Sequence, residues 1–271
     1  MLVAVDTGGT KTLVASFLED GRIGEQFKFA TPKSTTEYTH TLIEQLESHF
    51  GGKPIEALVV GVPGMVNDGI AVWCPNLGWK NFDVKAALKG VLDNAPIFVE
   101  NDANLAGLAE TRQLKHMPEL SLYVTISTGI GSGIITNGTI NHSLRNSEAG
   151  HSLVEFDGSV REWESFSSGK AILKAYGKYA ADITSKRIWR QIADRISRGF
   201  LAVIPILQPS VIIIGGSIGT YFDQFGKQLA AILDEKLPAH IPTPKIVQAK
   251  HPELAVVYGC YYYALDALAT A

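Results

Sequence analysis

Cysteine is scarce in this chain. Only Cys74 and Cys260 occur among 271 residues, each in apolar surroundings (AVWCPN and VYGCYYY). Buried reduced thiols are the favoured reading, with a disulfide or a reactive thiol as the alternative. No C-x-C or C-x-x-C pair is present, and none of the seven histidines shows H-x-x-x-H spacing, so no zinc site is legible. Long hydrophobic runs are missing too: no uncharged apolar stretch reaches the roughly 20 residues a membrane span needs. The first residues, MLVAVD, enter a strand at once without a basic stretch or apolar leader, so no signal peptide is expected. Basic residues are scattered and the formal net charge is only −3, which argues against a nucleic-acid or membrane surface. These absences together predict a cytoplasmic protein. No low-complexity segment or disordered tail appears either.

What remains is an ordinary globular composition, 46% hydrophobic and 19% charged. A chain of this size buries roughly 75% of its unfolded surface, so no disulfide or metal staple is required. Strand and helix patterns alternate along it, as in α/β proteins. A strand (LVAVD), a glycine turn (TGGTK) and a second strand (TLVASFLED) open the chain. Residues 23–30 give a third strand, and 36–50 space apolar groups as a helix does. IEALVVGVPG is a buried strand running into a loop, 83–93 reads as helical, and PIFVEND is a short strand followed by a helix over 103–115. The pattern then restarts with SLYVTIS, TGIGSG and IITNGTI, the last holding an Asn-Gly turn. Helices are expected over 169–181, 186–204, 221–236 and 253–270, with strands at VIIIGGS and KIVQAK. Two halves that begin alike, at residue 2 and near 121, predict an internal duplication and two similar lobes with a cleft between them.

The glycine turns carry the first chemical signal. In DTGGTK, Asp6 ends a strand just before Gly8, Gly9, Thr10 and Lys11. Glycine lets backbone approach a ligand closely, and successive amides can face an anion. Asp6 could hold a water of a nucleotide's Mg²⁺, although a plain hairpin turn accounts for the same residues. STGIGSG (127–133) repeats the device in the second half, and GGS (215–217) ends a strand in a tight turn. Neither turn is a P-loop or a G-x-G-x-x-G fingerprint, which disfavours a dinucleotide-dependent dehydrogenase. The second signal is polar. ENDAN (100–104) crowds Glu100, Asn101 and Asp102 at a strand end, where Asp102 could also be a simple helix cap. Glu148 and His151 lie three apart, with Glu164 beyond them; carboxylates, amides and imidazoles of this kind pair well with sugar hydroxyls.

DTGGTK, GVPG, PNLGW, ENDAN, STGIGSG, EAGH, ESFSSG and IIIGGS occur in the order seen in the ROK family (repressors, open reading frames and sugar kinases), and the resemblance runs from about residue 2 to the final helix. It implies an α/β, two-lobed actin-like ATPase fold of the ribonuclease H-like, hexokinase and actin type with a central cleft. The N-terminal lobe would cover 1–112 with the C-terminal helix 253–271 joined to it, and the C-terminal lobe 113–252. It also implies ATP and Mg²⁺ as cofactors and phosphoryl transfer to a hexose, glucose first, at O6. By position Asp102 matches the catalytic base. Gly64, Asn101, Asp102, Glu148, His151 and Glu164 match sugar-binding residues. Asp6, Gly8, Gly9, Thr10 and Lys11 match the first phosphate loop, with Asp6 on Mg²⁺ through water. Thr128, Gly129 and Gly131 match the second loop, and Gly215 and Gly216 the adenosine turn. The expected partners are a hexose and a nucleotide, with neither nucleic acid nor membrane, and the family is often dimeric.

Departures are informative. Many members carry a C-x-C-G-x-x-G-C zinc segment between the His and the later Glu; here LVEFDGSVREWE replaces it, so zinc is not expected. Ser143 and Ser147 stand where the family usually has glycine and alanine, which allows a different substrate preference. The family's DNA-binding repressors carry an N-terminal helix-turn-helix, and this chain opens directly on the first strand. A non-catalytic sugar sensor of the same fold is the alternative function. An actin-like ATPase of the acetate kinase type is disfavoured by ENDAN followed by EAGH.

Overall fold

A computed structural model describes residues 1–251 and 253–270. The chain divides into two compact units, Met1–Ala109 with Leu254–Ala271, and Glu110–Glu253.

In the first unit, β1 (Leu2–Thr7), β2 (Lys11–Phe17) and β3 (Ile23–Ala30) form an antiparallel meander. Helix α1 (Thr35–Phe50) follows, capped by the Ser34 hydroxyl, which accepts the Glu37 amide. Strand β4 (Ala57–Val62) returns parallel to β1, and the sheet order is β3-β2-β1-β4-β8. Before β8, a separate antiparallel sheet of β5 (Met65–Asn67), β6 (Ile70–Cys74) and β7 (Trp79–Asp83) occupies ground that the sequence pattern left as loop. Asp68 and Gly69, both at positive φ, turn β5 into β6.

The helix expected over 83–93 is broken into single turns, α2 (Val84–Ala87) and α3 (Val91–Asn94). Gly90 is at φ 92, and Leu92, Asp93 and Asn94 also adopt positive φ, so the α-hydrogen-bond ladder cannot continue. Strand β8 (Ile97–Asn101) lies parallel to β4 and runs directly into α4 (Asp102–Arg112). One face of the main sheet packs on α1 through Tyr38, Leu42, Leu46 and Phe50; the other packs on the C-terminal helix through Val257, Cys260 and Ala264.

The second unit repeats the plan. Strands β9 (Leu120–Ile126), β10 (Ile130–Thr136) and β11 (Thr139–Ile140) are antiparallel, the last pair joined at Asn137-Gly138, both at positive φ as the Asn-Gly reading expects. A 3₁₀ turn (Ala149–His151) leads to a hairpin of β12 (Leu153–Phe156) and β13 (Ser159–Glu162), then to the single-turn α5 (Glu164–Ser167) and to α6 (Gly169–Tyr176). Helix α7 (Lys186–Leu207) buries Trp189, Ile192, Ile196 and Phe200 in this unit's core. Strand β14 (Val211–Gly215), the short α8 (Gly216–Gly219), α9 (Phe222–Lys236) and β15 (Lys245–Gln248) complete it, with sheet order β11-β10-β9-β14-β15. The C-terminal helix α10 (Ala255–Ala269) belongs to the first unit. Among the described residues no helix is long and apolar enough to cross a membrane.

Candidate active site

In the first unit the candidate residues cluster at the C-terminal ends of β1, β4 and β8, where parallel strands present functional groups. The turn from β1 to β2 is held from behind. The Thr31 hydroxyl donates to the Gly8 carbonyl at 2.8 Å, the Lys33 ammonium to Gly9 at 3.3 Å, and the Thr31 amide to Thr10 at 3.1 Å. The Gly8 amide closes the turn on the Lys11 carbonyl at 3.0 Å. Among the described residues no protein acceptor takes the Gly9 or Thr10 amide. A turn whose carbonyls are tied back while two successive amides have no protein acceptor suits an oxyanion. Lys11 is exposed at the start of β2. Asp6 sits in packed surroundings, and burial raises its carboxyl to about 6 against the opposing pull of Lys28. A desolvated carboxylate of this kind gains from a nearby cation.

The β8–α4 junction separates two roles that the sequence left merged. Asn101 is the helix cap: its Oδ1 accepts the Asn104 amide at 2.9 Å, and its Nδ2 donates to the Gly64 carbonyl at 2.9 Å. The buried Glu100 carboxylate accepts the Asn101 amide at 2.8 Å and Asn104 Nδ2 at 3.0 Å. Asp102 opens the helix, with Oδ1 on the Ala103 amide at 2.7 Å. The Asn104 amide is thus capped by Asn101, while Asp102 meets the Ala103 amide of the same turn. Asn101 keeps one N–H and acceptor capacity beyond these bonds. Gly64 is required as glycine, at φ 104 with a Cβ that would stand 2.1 Å from the Trp73 carbonyl oxygen.

In the second unit the turn after β9 matches the first. The Ser127 amide donates to the Gly129 carbonyl at 2.9 Å, and the Ser127 carbonyl accepts the Gly169 amide at 2.6 Å. Here too, among the described residues, no protein acceptor takes the Thr128 or Gly129 amide. The Ser127 hydroxyl accepts the Ser217 amide at 3.0 Å, joining this turn to the one after β14. At Gly216, φ is 79 and a Cβ would lie 2.6 Å from the Ile126 backbone. Together these turns line a cavity of about 730 Å³, walled on its apolar side by Leu173, Ala180, Ala181, Ile218 and the ring of Tyr179. Gly215 ends β14 beside it, while Gly131 lies on β10. Volume, amides without a protein acceptor and apolar wall all suit a nucleotide. Tyr179, Lys170 and Glu253 also border the cavity and were not singled out from the sequence, where nothing in their local pattern marks them.

Three acid–imidazole groups gather beside the same turn. Glu164 Oε2 accepts the Ile130 amide at 3.0 Å. A Cβ on Gly129 would stand 2.7 Å from that oxygen. Gly150 packs the 3₁₀ turn of Glu148 and His151 onto Ile130, where a Cβ would meet the carbonyl oxygen at 2.2 Å. Burial raises the Glu148 carboxyl, with His151 opposing and Glu164 reinforcing the shift. His151 Nδ1 also approaches Glu162 Oε1 at 3.4 Å. Among the described residues, His151, Glu162 and Glu164 form one group whose ligand atoms lie within 4.8 Å of one another. That set lacks the thiolates of a Cys-rich structural zinc site. The cysteines themselves are both buried.

Comparison with known proteins sets this geometry in context. A fructokinase of Pediococcus pentosaceus is 26% identical over 261 residues, covering 89% of this chain and 86% of its own. An N-acetylmannosamine kinase of Vibrio cholerae is 29% identical, covering 89% and 92%. The crystal structure of a ROK family glucokinase from Streptomyces griseus, in complex with glucose and AMPPNP, superposes with a TM-score of 0.81 at 24% identity, covering 98% of this chain and 99% of that one. The α/β architecture is therefore the actin-like ATPase fold. The ROK family model itself matches residues 2–267. On the strength of that match across nearly its whole length, the chain belongs to the ROK family.

Proposed function

We propose that this chain is an ATP-dependent kinase that transfers a phosphoryl group to a hexose hydroxyl, O6 of glucose being the acceptor to test first. The observation that carries the reading is the matched pair of turns. Each unit offers two successive amides without a protein acceptor, at Gly9–Thr10 and at Thr128–Gly129, and a turn of this kind suits a phosphate. The cavity beside Gly216 then suits the adenosine. Relatives named as fructokinase and N-acetylmannosamine kinase, and a structural neighbour crystallised with glucose and AMPPNP, support the same class of reaction.

ATP would supply the transferable group, and Asp6 would be the residue to hold a water of Mg²⁺, which would neutralise charge on the phosphates. The chain's own residues do the rest. Gly64, Asn101, Glu148, His151 and Glu164 hold the sugar hydroxyls, charge-assisted bonds giving most of the discrimination. Asp102 orients the attacking hydroxyl and accepts its proton late, because the transition state of phosphoryl transfer is loose. Positioning and electrostatic stabilisation account for most of the rate.

The test is ADP release from the purified protein with a panel of glucose, fructose, mannose and N-acetylmannosamine. At least one hexose should be turned over with saturation. Absence of hexose-dependent ADP release across the panel, with sugar binding retained, would instead favour a sensor.

A further inference from the structure

We propose that Arg195 is a positioning residue for the hexose site: it braces the single-turn helix that carries Glu164, through a stack of rings and guanidinium groups. This rests on the reading of Glu164 as a sugar-binding residue given above. The reason a brace is needed is local. Helix α5 has four residues, and one helical turn cannot sustain its own hydrogen bonds. No cysteine lies between His151 and Glu164, so a thiolate-bound clip is not available to this segment.

Arg195, on α7, meets α5 twice and in opposite senses. Its Nη1 donates to the Phe166 carbonyl at 2.9 Å, and its own carbonyl accepts the Ser167 hydroxyl at 2.8 Å. Its Nε donates to the Tyr176 hydroxyl of α6 at 3.2 Å. The same guanidinium lies 4.9 Å from the centroid of Phe156, at the tip of the β12–β13 hairpin. Phe156 stacks in turn on Phe166 of α5, 4.3 Å apart and parallel to within 1°. Arg161 approaches both of these rings, at 5.2 and 5.6 Å. One side chain thus ties hairpin, α5, α6 and α7 together, at the helix that carries Glu164.

Only arginine can do this. The bonds to Phe166 and Tyr176 use separate nitrogens of one planar fork while its face covers a ring; a lysine ammonium has neither the plane nor the spread of donors. In this account the guanidinium acts through the orientation of Glu164.

The experiment uses the full-length protein and a hexose that the wild type phosphorylates, with Arg195→Met, Arg195→Lys, Glu164→Gln and the Arg195→Met/Glu164→Gln double variant. Arg195→Met should raise the hexose KM roughly tenfold, with kcat and the ATP KM within about threefold of wild type. Arg195→Lys should restore little of the loss. Glu164→Gln should raise the hexose KM similarly, and the double variant should be no worse than Glu164→Gln alone, as for residues acting as one unit. Treatment with EDTA followed by restored Mg²⁺ should leave the wild-type hexose KM unchanged. If Glu164→Gln raises the KM while Arg195→Met does not, or the two effects add, the brace is wrong. A KM that rises on chelation would transfer the role to a metal at His151, Glu162 and Glu164 and overturn the proposal as well. An unaffected Glu164→Gln enzyme would instead refute the sugar reading of Glu164, and the brace with it. Should Arg195→Met fail to fold, Phe156→Leu removes the ring stack alone and should raise the hexose KM in the same selective way; an unchanged KM there contradicts the proposal.

Discussion

The two units share one plan and differ where the chemistry lies. Asp6 of β1 stands opposite Gly61 of β4, and at the same register Thr125 of β9 stands opposite Gly215 of β14. A carboxylate in one unit is therefore a hydroxyl in the other. The turns that follow both present two successive amides, but the first carries the acidic residue suited to a cation and the second borders the cavity suited to a base and its ribose. The fifth strands diverge as well. Strand β8 ends in Glu100, Asn101 and Asp102, whereas β15 ends in Gln248, whose amide is spent on the Gly219 carbonyl at 3.0 Å. A duplicated scaffold has thus been made asymmetric by a few strand-end residues, the sheets being left alike.

That comparison can be broken at its most charged point first. Asp6→Asn should lower hexose-dependent turnover by about 10²–10³-fold, the usual cost of removing one preorganised electrostatic group. A loss below about threefold would mean that the carboxylate of the first turn has no cation to serve. Gly216 gives the next largest effect. Gly216→Ala forces a side chain into a left-handed backbone and into the Ile126 main chain, and should cost about 2–4 kcal/mol of stability in denaturant unfolding. An unchanged midpoint would show that the turn after β14 relaxes freely.

Importing the difference is the sharper test. Thr125→Asp places in the second unit the charge that Asp6 supplies in the first. Thr125 borders the cavity, so if that cavity takes ATP, charge repulsion should raise the ATP KM roughly tenfold and leave the hexose KM alone.

The last effect has the opposite sign to intuition. Because burial raises the Asp6 carboxyl from 3.8 to about 6, the folded protein holds its proton more tightly than the unfolded chain. Stability in the absence of divalent cations should then fall as pH rises from about 4 to 6 and level off above. Asp6→Asn should therefore stabilise the cation-free protein by up to about 3 kcal/mol at pH 7.5, a gain that vanishes near pH 4. A variant less stable than wild type at pH 7.5 would contradict the assigned cause of the shift.

Much of this asymmetry is legible in the sequence because it rests on local signals. The strand–glycine–strand openings at residues 2 and 121 announce the duplication, and Asn137-Gly138 marks its hairpin. The β5–β7 sheet and the β12–β13 hairpin were not read, although Asp68-Gly69 and Asp157-Gly158 carry the same positive-φ turn signature as Asn-Gly. The strands they join are short, and exposed residues such as Trp73, Leu153 and Val160 blur the two-residue period. Asn101 as the cap in place of Asp102 was not legible, since either residue suits a cap and only the helix start decides. Arg195 is invisible from the sequence because it acts across 29 residues of chain, through the Phe166 carbonyl.

The most direct measurement is a paired one on Asp102: hexose-dependent ADP release and calorimetric hexose binding, for the wild type and for Asp102→Asn. With Asp102 as the proton acceptor, the variant should bind hexose within about threefold of wild type and lose about 10²–10⁴-fold in kcat. Near-normal turnover by the variant would contradict the account at its centre.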